Sequence, residues 1–88
     1  MVSRRVVVGG RVQAVGFRAS CAAEAERVGV AGWVTNRPDG RVEALFEGDE
    51  AAVGAMVEWM QHGPPGARVE QHETTEEEPG GRPDFRIV

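Results

Sequence analysis

The 88-residue sequence predicts an α+β sandwich, an antiparallel sheet with two helices on one face. Three observations predict it. Short apolar runs of strand type alternate with two longer segments of helical period, in the order β-α-β-β-α-β plus a terminal strand. The two helical segments each carry one apolar stripe, so each has one face to bury. Between the second and third strands lies Asn36-Arg37-Pro38-Asp39-Gly40, where Pro presets φ and Gly accepts positive φ, the chemistry of a hairpin turn.

Arg5 to Val12 reads as the first strand, Val-rich and too short for a helix. Phe17 to Val28 is a helix, because Phe17, Cys21, Ala25 and Val28 recur at helical spacing and Gly29 follows as a stop. Val30 to Asn36 is a strand holding Trp33. Arg41 to Glu47 is a strand in which Val42, Ala44 and Phe46 alternate with Arg41, Glu43 and Glu47. Asp49 is an N-cap candidate for a second helix running to about His62, with Val53, Met56, Val57 and Met60 as its buried stripe. Gly63-Pro64-Pro65-Gly66 ends that helix. Ala67 to Thr74 is a strand, Glu76 to Pro83 a polar loop, and Asp84 to Val88 a short edge strand carrying Phe85 and Ile87. The order is that of the ferredoxin-like split βαβ arrangement.

A chain of this length is expected to form one domain over residues 1–88 and to bury roughly 60–65 % of its unfolded surface. No run approaches the ~20 apolar residues of a membrane span. The start, Met1-Val2-Ser3-Arg4-Arg5, leads into an apolar run of only Val6 to Val8, which is no signal peptide. Cys21 is the only cysteine, so neither an internal disulfide nor a Cys-based metal cluster is available. A cytoplasmic, monomeric protein is expected. Every basic side chain is Arg and none is Lys, which excludes a Schiff-base lysine and a GxxxxGK[ST] phosphate loop. The net charge of −4 argues against nucleic acid or an anionic membrane as partner. An anionic ligand would have to be drawn by a local site.

One segment has the makings of such a site. Gly9-Gly10-Arg11-Val12-Gln13-Ala14-Val15-Gly16-Phe17-Arg18 joins the first strand to the first helix. A loop of small residues can turn several N–H groups inward, and the helix N-terminus adds more free N–H groups and partial positive charge. Arg18 falls in the first helical turn, where the dipole disfavours a cation. That cost makes sense if its planar fork holds two oxygens of a bound phosphate; an ordinary surface arginine is the plainer alternative. Asn36, at the end of a strand, reads by itself as a turn residue.

These residues resemble the acylphosphatase family. Gly10, Val12, Gln13, Val15, Phe17 and Arg18 stand in register with the family signature G-x-V-Q-G-V-x-F-R. The second signature is matched by Gly32-Trp33-Val34-Thr35-Asn36, then Gly40, Val42 and Gly48. The resemblance extends to the closing Phe85-Arg86-Ile87. It implies an acylphosphatase that hydrolyses acyl phosphates to a carboxylate and inorganic phosphate, with neither metal nor cofactor. Arg18 and the loop from Arg11 through Val12, Gln13, Ala14, Val15, Gly16 and Phe17 would bind the phosphoryl group, and Asn36 would orient the attacking water. Inorganic phosphate would be product and inhibitor. Two positions depart from the pattern: Ala14 stands where the family usually has Gly, and Thr35 where a basic or long polar residue is common. The first suggests an enzyme slower than its relatives, and in the limit a non-catalytic phosphate-binding module of the same fold.

Other constellations carry less. Cys21 and Arg27 have the C-x5-R spacing of cysteine-dependent phosphatases, but the residues between them form helix, which sets the two roughly 240° apart. His62 and His72 lack partners at metal-ligand spacing. An RNA-recognition domain shares the element order but needs aromatics on its central strands and a basic surface. Here the first strand has no aromatic and the chain is acidic.

Overall fold

The computed structural model describes all residues, Met1 to Val88. The elements run β1 (Val2–Arg11), α1 (Phe17–Val28), β2 (Ala31–Asn36), β3 (Val42–Gly48), α2 (Glu50–Met60), β4 (Arg68–Glu77) and β5 (Phe85–Ile87). The sheet order is β4-β1-β3-β2-β5. The first four strands pair antiparallel, as expected. β5 instead runs parallel to β2, with Phe85 opposite Gly32 and Ile87 opposite Val34, so the sheet is mixed rather than wholly antiparallel.

One apolar layer holds the sandwich together. Val6 and Val8 of β1, Val34 of β2, and Val42, Ala44 and Phe46 of β3 share a buried cluster with Phe17, Cys21 and Ala25 of α1 and Val53, Met56 and Met60 of α2. Strand residues two apart lie on one face, so this cluster marks the face that both helices cover. α1 lies over β2 and β5, and α2 over β1 and β3. Phe46 stacks on Phe85 with centroids 5.7 Å apart, which ties the three-residue β5 to the core. Cys21 is fully buried, its sulfur 3.9 Å from that of Met60, and burial pushes its thiol up to about 12. Burial and the raised thiol both oppose a nucleophilic Cys21, and Arg27 is engaged with Glu24 at 2.6 Å.

The bounds of α1 are those expected, closed by Gly29 at φ 83°, whose N–H donates to the Ala25 carbonyl. α2 stops at Met60, two residues short of His62, and Asp49 occupies its N-cap position without a side-chain capping bond. Glu76 and Glu77, expected in a solvated loop, extend β4 instead. They pair there with Arg4 at 2.9 Å and with Arg5 at 3.0 Å, across from a β1 that begins at Val2 rather than Arg5. The chain from Glu78 to Asp84 then passes over the face without helices. Glu47 of β3, 2 % exposed, receives the N–H groups of Gly80, Gly81 and Arg82 at 2.6, 2.7 and 3.0 Å.

Candidate active site

The site forms where β1 ends and α1 begins. Gly16 sits at the α1 N-cap in the left-handed conformation, φ 77° and ψ 20°, with no side-chain cap. The first N–H to find a helical partner is that of Ser20, which donates to the Gly16 carbonyl at 3.0 Å. Outside the helices and strands, no backbone hydrogen bond is donated by any residue from Gln13 to Ala19. The loop and the first helical turn therefore present a run of free amides at the positive end of a helix, the physical basis of an anion cradle.

A cleft of about 230 Å³ opens on this run. Val12, Ala14, Gly16, Phe17, Arg18 and Ala19 line it from the loop and α1, Asn36 from the end of β2, and Ile87 from β5. Arg18 is the one charged side chain among them, and it makes no salt bridge. An acidic protein thus keeps an unneutralised, exposed guanidinium at a small, mostly apolar cleft. Asn36 Oδ1 is buried and has no hydrogen-bond partner in the protein. A buried acceptor without a partner is costly.

Ala14 is the one non-glycine residue with positive φ, at 61°. The loop thus adopts the left-handed turn that glycine would make easily, at a cost of roughly 1–2 kcal/mol for alanine. A larger cavity, about 490 Å³, lies between α1 and Pro83–Phe85. Its charged lining is Glu26 and Asp84, which repel an anion. The smaller cleft has no acidic side chain in its lining.

The structure brings together Arg18, Asn36, Val12, Ala14, Gly16 and Phe17 of the expected residues. Three others fall outside the cleft. Arg11 is exposed at the end of β1, opposite Arg68 of β4. Val15 packs against the core. Gln13 turns its side chain to the β2–β3 hairpin, where Nε2 donates to the Arg37 carbonyl at 2.8 Å and the Arg41 carbonyl at 3.0 Å. Sequence reasoning missed Ile87 and Ala19. Nothing local marks Ile87; its place follows from the parallel pairing of β5. No three His, Cys, Asp or Glu side chains converge closely enough to hold a metal.

Fold and cleft together define an α+β domain in which loop amides, one arginine and one asparagine share a single cleft. The acylphosphatase family model matches residues 4–87. The chain is 58 % identical over 80 residues to the acylphosphatase of Anaeromyxobacter dehalogenans, covering 91 % of this chain and 86 % of that one. The crystal structure of acylphosphatase from Bacillus subtilis superposes with a TM-score of 0.96 at 45 % identity, covering 100 % of this chain and 99 % of that one. An acylphosphatase structure from Coxiella burnetii matches with a TM-score of 0.94 at 34 % identity, covering 99 % of this chain and 92 % of that one. The chain belongs to the acylphosphatase family and is an enzyme of that type, as its two signatures imply.

Proposed function

We propose that the chain hydrolyses acyl phosphates by attack of water on phosphorus, with Arg18 and the amides from Ala14 to Ala19 holding the phosphoryl group and Asn36 holding the water. The observation that carries the reading is the meeting of Arg18 and Asn36 in one cleft beside unpaired helix-terminal amides. A dianionic phosphoryl group placed there gains charge-assisted bonds from a fork and from backbone donors at once. Asn36 can both accept from and donate to a water, and its Oδ1 has no partner within the protein.

In the reaction the water oxygen bonds to phosphorus and the bond from phosphorus to the acyl oxygen breaks. Its electron pair leaves on the carboxylate, and the water proton passes to a phosphoryl oxygen. No His, Asp or Glu lines the cleft, so the protein supplies position and charge stabilisation rather than a general base. Phosphoryl transfer suits such a site because its transition state asks for little covalent help. We read the enzyme as cytoplasmic, monomeric and metal-independent, with inorganic phosphate a competitive inhibitor. A non-catalytic module is the weaker reading, because the matched relatives are named acylphosphatases at up to 58 % identity.

Hydrolysis of benzoyl phosphate in ¹⁸O-labelled water, with and without EDTA, tests the proposal. Label in the inorganic phosphate and undiminished turnover in EDTA are expected. Label in benzoate would mean attack on the carbonyl carbon, and a requirement for added divalent ion would overturn the metal-free mechanism.

A further inference from the structure

Gln13 is the residue whose placement departs most from its expected role. Instead of facing the cleft it bridges the phosphate loop and the β2–β3 turn, beyond the last paired residues of β1 and β3. β3 lies between β1 and β2, and its ladder with β1 ends at Val8 opposite Val42, so strand pairing stops short of linking the phosphate loop to the turn that follows Asn36. The Gln13 carboxamide makes that link. Its nitrogen carries two protons, and two carbonyls receive them, Arg37 at 2.8 Å and Arg41 at 3.0 Å. These are the carbonyls at the mouth of the hairpin, where the Arg37 N–H donates to the Arg41 carbonyl at 2.7 Å and the Gly40 N–H to the Arg37 carbonyl at 3.1 Å. Arg37 directly follows Asn36, and Ala14, a cleft-lining residue, directly follows Gln13. The bridge is therefore anchored one residue from the cleft on each side.

From this geometry we infer that Gln13 is a positioning residue, which sets the distance between the phosphate cradle and the Asn36 amide. It touches neither substrate nor water and acts through Asn36. The inference rests on the roles given above to Arg18 and Asn36. A glutamate there could not donate, and an asparagine would fall one methylene short.

A double-mutant cycle tests it, with Gln13→Met, which keeps length and removes both donors, Asn36→Ala, and the pair. Gln13→Glu serves as a second variant of the same shape. Measured for each are kcat on benzoyl phosphate, the inhibition constant of inorganic phosphate and Tm. Misplacement by about 1 Å can cost on the order of 10²-fold in rate, so Gln13→Met is expected to lower kcat by roughly 10- to 100-fold. The phosphate inhibition constant should move by less than about threefold, because the cradle itself is intact. In the Asn36→Ala background, Gln13→Met should lower kcat no further. Full additivity of the two losses, or an equal loss of phosphate affinity, would overturn the positioning role. Near-normal kcat in Asn36→Ala alone would sink the underlying reading of the site, and the cycle reports that separately from the Gln13 arm.

Discussion

The carboxylate of Glu47 accepts the N–H of Gly80 at 2.6 Å, in the face of the sheet that no helix covers. Gly81 and Arg82 add two more N–H donors, and the Arg82 guanidinium lies 3.3 Å away. One buried anion therefore anchors the connection that delivers β5 to β2, and with it Ile87 to the cleft. The N–H of Gly80, foremost, holds the Glu47 carboxyl below the usual carboxylate range against the opposing cost of burial. A depressed folded-state pKa stabilises above the unfolded pKa and is lost as pH falls through the folded one. Glu47→Gln should cost about 2 kcal/mol at pH 7, since charge-assisted bonds contribute roughly 1.5–3 kcal/mol each and some are kept in weaker form. In a domain this size that lowers Tm by about 10 °C. The gap between wild type and variant should narrow as pH drops below about 4.3, and a gap independent of pH in thermal melts would refute the assignment.

Arg18 is exposed and unpaired, so its removal should spare the fold. Its position in the first turn of α1 opposes the helix dipole, a cost of roughly 0.3–1 kcal/mol. Arg18→Ala should therefore melt at or slightly above the wild-type temperature while phosphate affinity falls by about two orders of magnitude or more, the effect of losing two charge-assisted bonds. Arg18→Lys should recover little, because an ammonium cannot reproduce the fork. Calorimetric titration with inorganic phosphate reads the first effect, and unchanged affinity in Arg18→Ala would make it a plain surface residue.

Asn36 separates two chemistries. Asn36→Ala removes a buried acceptor that has no protein partner, so stability should hold while kcat drops on the order of 10²-fold, within the range of positioned catalytic groups. Asn36→Asp should be worse in a different way. A second anion in the cleft repels the substrate phosphoryl group, and phosphate inhibition should weaken together with kcat. If Asn36→Asp binds phosphate as wild type does, Asn36 lies outside the reach of the bound anion.

Ala14 holds φ 61°, which favours the first of two outcomes open to alanine at a glycine position: strain is stored and the loop keeps its shape. Any gain in kcat/KM from Ala14→Gly should then stay below about twofold, because the loop amides already hold their places. Stability is where the change should be read. Relief of roughly 1–2 kcal/mol is offset by the extra freedom of glycine in the unfolded chain, roughly 0.5–1 kcal/mol. A net gain of about 0.5 kcal/mol predicts a Tm rise of about 2–4 °C. A large gain in turnover with no rise in Tm would mean that alanine had pulled an amide away from the phosphate.

The elements with strong local signals were legible from the chain. The α1 stripe and Gly29 place that helix at Phe17–Val28, which is where it lies. The Pro38-Asp39-Gly40 turn places the hairpin, and the two signatures mark Arg18 and Asn36, which the cleft brings together. In each case the information sits in neighbouring residues, through helical period, turn chemistry or a contiguous motif.

What the tertiary structure alone decided depends on partners far apart in sequence. β4 extends to Glu77 because Arg4 and Arg5 wait opposite it, and no window around Glu76 contains those arginines. The parallel direction of β5 follows from a crossing held by Glu47, more than thirty positions earlier in the chain. Gln13 reads as part of a phosphate loop, and only the fold shows that its side chain reaches the hairpin carbonyls. A hydrogen bond or ion pair between distant segments is paid for by the packing that brings them within 3 Å, and that packing is a property of the whole chain rather than of any stretch of it.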